Sequence, residues 1–171
     1  SGTIEARGNI ASSNSGSWGT AVVLINGAAA QSMSGVSSWV PAVNINKPSG
    51  TLTLSGTIRT ASAWTYTAGT VDAGTSNISF ESGNSIIPGS IIYYQASFAG
   101  CGGSMNLNAG MMIVSNTLNI GFGCGGGNIN NGTIEARGDI TSTNSGGWGT
   151  AVILINGTAA QAMSGATTYV P

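Results

Sequence analysis

Hydrophobic and polar residues alternate along most of this chain. In Thr51-Leu52-Thr53-Leu54-Ser55 the leucines fall on one side and the hydroxyls on the other. Ile4, Ala6, Gly8 and Ile10 oppose Thr3, Glu5, Arg7 and Asn9 in the same way. A period of two predicts half-buried strands. Such runs occupy 3–10, 21–25, 43–46, 51–58, 77–80, 91–98, 105–108 and 117–120, separated by Gly, Asn or Ser. No window carries an uninterrupted helical stripe, so almost no helix is expected.

A longer period organises these strands. Gly2-Thr3-Ile4-Glu5-Ala6-Arg7-Gly8 recurs as Gly132-Thr133-Ile134-Glu135-Ala136-Arg137-Gly138, and the match runs ungapped from 1–41 to 131–171. Of these 41 aligned pairs, 29 are identical, as in a tandem array. Residues 1–130 therefore read as one long repeat and 131–171 as the first third of the next. The chain, opening in mid-motif with no visible signal peptide, is expected to belong to a longer array.

Strand runs roughly 22 residues apart would give about six coils per 130 residues, the signature of a solenoid. A β-sandwich is the competing architecture. Asn26, Asn44, Asn46, Asn106, Asn108, Asn119 and Asn128 lie in or beside strands, where stacked amides can bond from coil to coil. Long charged side chains are nearly absent, and like charges stacked at about 4.8 Å would repel. The fold expected is an all-β parallel solenoid, in which 1–41 and 131–171 are related mainly by a shift along one axis.

Composition narrows the function. Only 5% of residues are charged, four Lys or Arg against five Asp or Glu, and there is no His. That leaves no basic footprint for nucleic acid and no polybasic membrane patch. No apolar run is long enough to insert in a membrane as a helix. With 41% apolar residues the chain is not of the disordered class either.

Candidate chemistry is sparse. Cys101 and Cys124 lie about one coil apart, so stacking would bring them within disulfide range. Such a bridge suits an oxidising compartment. Gly121-Phe122-Gly123-Cys124-Gly125-Gly126 fits G-x-G-x-x-G in form, but no helix start follows, and a Gly-rich corner is the expected structure. Glu5 and Glu135 each have an arginine two residues on, which predicts same-face surface ion pairs of little energetic weight. Asp72 and Glu81 are the remaining acids that could approach one another across a coil. Catalytic residues, metal ligands and cofactors are all expected to be absent. Trp18, Trp64 and Trp148 form a candidate glycan contact.

The runs 41–56 (PAVNINKPSGTLTLSG) and 64–75 (WTYTAGTVDAGT) resemble repeats of very large bacterial surface proteins, similar to filamentous-haemagglutinin-like adhesins. That resemblance implies a right-handed parallel β-helix at the cell surface or outside the cell. It transfers no catalytic motif. The expected role is structural, a stiff stalk, sheath or fibre, with neighbouring repeats or identical subunits joined end to end as partners. A carbohydrate-binding adhesin face is the alternative, with surface glycans as partners. A polysaccharide-degrading β-helix comes third.

Overall fold

The protein, seen in a computed structural model that describes residues 1–16, 19–165 and 168–171, is a parallel β-solenoid of about eight turns. The described residues include no helix, and their 16 strands join in one sheet that winds around the core. Every strand pairing is parallel, so each turn lies on the one before it in the same direction.

The second to seventh turns each contribute three short segments, stacked in three columns. The first column runs through Thr3–Ala6, Val22–Ile25, 42–45, 64–66, Ser85–Ile87, Ser104–Leu107 and Asn128–Asn130. The middle segments of the early turns are Ile10–Ser12, 31–36, 51–57 and 70–72. Those of the later turns are 92–93, 111–114, Thr133–Ala136 and Val152–Ile155. The third column runs through 38–40, 58–60, Asn77–Glu81, 95–101, 117–123, Asp139–Ser142 and Met163–Gly165.

Alternation explains the interior. Val23, Val43, Trp64, Ile86 and Leu107 follow one another in register up the first column, and all are buried. Ile58, Ile78, Ala96, Leu118 and Ile140 do the same in the third. Like residues therefore meet like residues, and the core is continuous from turn to turn. In the fourth and fifth turns it is aromatic. Phe80 packs edge-on to Trp64 at 6.2 Å between ring centroids, edge-on to Tyr93 at 6.3 Å, and tilted against Phe98 at 5.6 Å. The Trp64 indole N–H donates to the Tyr93 hydroxyl at 3.0 Å, which satisfies a polar pair inside this apolar stack.

Corners depend on glycine where turns come close. Gly126 has φ +88°, and a Cβ there would lie 1.4 Å from the Gly146 carbonyl oxygen of the next turn.

The outer polar rows differ from a pure asparagine ladder. Asn119 donates to Ser97, Ser97 to Asn77, and Asn108 to Ser85, while Thr67 donates to Asn44. Hydroxyls thus alternate with amides.

The long repeat is also not a simple axial shift. Thr3–Ala6 opens the first turn in the first column, whereas Thr133–Ala136 is the middle segment of the seventh turn. Ile10–Ser12 is a middle segment, whereas its counterpart Asp139–Ser142 stands in the third column. The 130-residue repeat therefore advances six turns and one further face. Local pairing survives the change: Thr3↔Val22 and Thr133↔Val152 share one register, as do Ile10↔Met33 and Ile140↔Met163. A coil with three similar sides permits this, because each side offers the same ladder and the same apolar interior.

Candidate functional site

An outer cavity lies at the corner between the middle and third segments of the sixth to eighth turns. Its volume is about 590 Å³, and Ser115, Glu135, Arg137, Asn156, Thr158 and Ala159 line it. Alternation sets the chemistry. Ile134 and Ala136 point inward, so Glu135 points out, and Arg137 follows on the same side. The Arg137 Nε donates to Glu135 Oε1 at 2.6 Å, and Asn156 Nδ2 donates to the same oxygen at 3.1 Å.

Glu135 was expected to form a surface pair, and here the structure differs. The pairing with Arg137 is present, but the Glu135 side chain is only 5% exposed because turns lie both below and above it. Its sequence twin Glu5, with no turn beneath it in the structure, pairs with Arg7 at 2.8 Å and is 51% exposed. The hydrogen bond from Arg137, followed by that from Asn156, holds the Glu135 carboxyl below its usual 4.5 despite burial. A carboxylate so held is an acceptor and structural anchor, mismatched to proton transfer near neutrality. Since the folded-state value is depressed, the stabilisation is complete above about pH 4.5 and is lost as pH falls through the lowered value. Glu135→Gln is expected to flatten the acid limb of the stability profile below about 4.5, measured by denaturant melts across pH. An unchanged acid limb would contradict this.

The other acids are engaged separately. Glu81 Oε1 accepts from Arg59 Nε at 2.6 Å and from Ser79 Oγ at 3.1 Å. The Arg59 guanidinium also lies 4.1 Å from the Trp39 ring centroid, a cation–π contact. Asp72 accepts from the Gly74 N–H at 2.9 Å in a local turn. Asp72 and Glu81 thus have different partners. Among the described residues no three Cys, Asp or Glu converge as metal ligands.

The tryptophan strip does not form as a strip. Trp64 is fully buried in the core and cannot touch a glycan. Trp18 lies outside the described residues. Trp148 is 59% exposed at the corner before the eighth turn, and its ring stands 5.7 Å from that of Tyr169. Tyr169, 46% exposed, was not singled out in the sequence, although it matches Trp39 in the first repeat.

Cys101 and Cys124 form a disulfide with Cα atoms 4.8 Å apart, joining the third column of the fifth turn to the corner leaving the sixth. Gly123 pairs with Cys101 in the ladder, so the bridge follows from stacking. No helix follows Gly126, and the G-x-G-x-x-G run is a corner.

Comparison of the chain with known families, curated proteins and solved structures finds no match.

One polar cluster was missed in the sequence. Lys47, in phase with inward-facing Val43 and Ile45, is 2% exposed. Its Nζ donates to Gly27 O at 2.6 Å, Ala29 O at 2.9 Å and Gln31 Oε1 at 2.8 Å. Burial lowers its pKa from the usual 10.5, while three oxygens take the three ammonium protons. The available signal was a lone lysine at an inward position of an alternating strand.

Proposed function

We propose that this chain is a structural module of a stiff extracellular stalk, sheath or fibre, built by end-on stacking of such repeats. The observation that carries this reading is the recurrence of identical strand registers in both copies of the repeat, on different faces of one continuous stack. Each added turn satisfies the backbone groups of the last and extends the same core, so length is gained without hinges. The disulfide suits an oxidising environment. The reading assigns no catalytic step to the chain.

Tandem copies of residues 1–130 test it. At about 4.8 Å per turn, each added copy should lengthen a straight rod by ~30 Å in electron micrographs. Flexible beads on a string, or no growth in length, would refute it.

The exposed Trp148–Tyr169 pair favours a second reading, a glycan-binding adhesin face. A glycan array that binds the chain but not Trp148→Ala would establish that reading; no binding by either protein would remove it.

A further inference from the structure

The glutamine that helps to hold Lys47 has a counterpart in the second copy, pinned in the same way. In the first copy Gln31 Nε2 donates to Ala6 O at 3.0 Å and Gly8 O at 2.6 Å, and Gln31 Oε1 accepts from Gly27 N at 3.1 Å. In the second copy Gln161 Nε2 donates to Ala136 O at 3.0 Å and Gly138 O at 2.7 Å, and Gln161 Oε1 accepts from Gly157 N at 2.6 Å. The glutamine is pinned in the same pose by the same backbone groups. In the first copy this frame presents Gly27 O, Ala29 O and Gln31 Oε1 to an ammonium. The corresponding atoms of the second are Gly157 O, Ala159 O and Gln161 Oε1.

The chain's cationic side chains are committed elsewhere: Arg7, Arg59 and Arg137 to carboxylates, and Lys47 to the first frame. The neighbouring apolar residues tell the same story. Ile25 and Met33 are wholly buried, whereas their counterparts Ile155 and Met163 are 55% and 52% exposed. The segment over Ile25 and Met33 is 42–60, which pairs through Val22↔Ala42 and Gln31↔Leu52 and carries Lys47 between those ladders.

We infer that the eighth turn is a docking surface for a further segment of the 42–60 type, added as parallel strands and keyed by a lysine ammonium in the Gly157–Ala159–Gln161 frame. Strand addition supplies main-chain bonds, and the buried, charge-assisted lysine contacts fix register. An apolar segment lacking the lysine would cover Gly157 O, Ala159 O and Gln161 Oε1 without supplying the ammonium donors that Lys47 gives the first frame. This deepens the stalk reading and rests on it, since it names the contact by which one repeat receives the next.

The test uses the whole 171-residue chain and two synthetic peptides, residues 42–60 with Lys47 and the same peptide with Lys47→Met. Fluorescence anisotropy of the labelled peptides reads binding. The lysine peptide is expected to bind at least about tenfold more tightly than the methionine peptide, the scale of a charge-assisted contact. Gln161→Met in the chain should erase most of that difference, and a thermal melt checks that this variant folds. Equal binding of the two peptides, or binding of neither, would overturn the inference. Rod growth of the tandem copies alongside either result would leave the stalk reading standing.

Discussion

Phe80→Ala is expected to destabilise the solenoid by about 3–5 kcal/mol, the cost of emptying a buried aromatic site. Phe80 is wholly buried and touches three other aromatic rings from its own and the next turn. Those rings are held by strands above and below, so the site cannot collapse around the cavity. Trp64 and Tyr93 are further fixed by their mutual hydrogen bond. The effect should appear as a lower midpoint in urea with little change in slope. Ile155→Ala is the matched control, because that side chain is 55% exposed, and a change within about 0.5 kcal/mol is expected there. If Phe80→Ala cost no more than the control, the aromatic stack would not be part of the stabilising core.

The second large effect belongs to the Cys101–Cys124 bridge. It closes a sequence separation of 23 residues, for which loop-closure entropy gives about 3 kcal/mol. The bridge ties two successive turns where five glycines, Gly100, Gly102, Gly103, Gly125 and Gly126, have positive φ. A Cys101→Ser/Cys124→Ser double variant is therefore expected to lose about that amount in denaturant melts. Thiol labelling of the unreduced, denatured wild type should find no free cysteine. Two labelled thiols, or a double variant as stable as the wild type, would contradict the assignment.

Much of the architecture is visible in particular residues. The alternation in Thr51–Ser55 and the stacking of the two cysteines follow from period two and from a near-constant coil length. The buried position of Trp64 was equally available, since it stands in the inward phase with Tyr66 of its strand. That phase makes Trp64 a core aromatic and not a surface one. Two features were harder to read. Glu5 and Glu135 share one local sequence, yet burial depends on which turns lie above and below, and this information is held some 20 residues away. The advance of one face per repeat depends on corner lengths. Spacings between stacked residues range from 18 at Asn77↔Gln95 to 24 at Ser104↔Asn128, and their drift moves the second copy onto another side. Alternation is blind to such drift, because all three sides carry the same pattern.

That advance is the central structural claim, and a crystal structure of the 171-residue chain tests it most directly. The decisive observation is the column occupied by Thr133–Ala136. Electron density is expected to place Asn128–Asn130 above Ser104–Leu107, in the column that begins at Thr3–Ala6. Thr133–Ala136 is expected on 111–114, one face further round. Density showing Thr133–Ala136 in the same column as Thr3–Ala6, or any antiparallel pairing between successive turns, would contradict the claim.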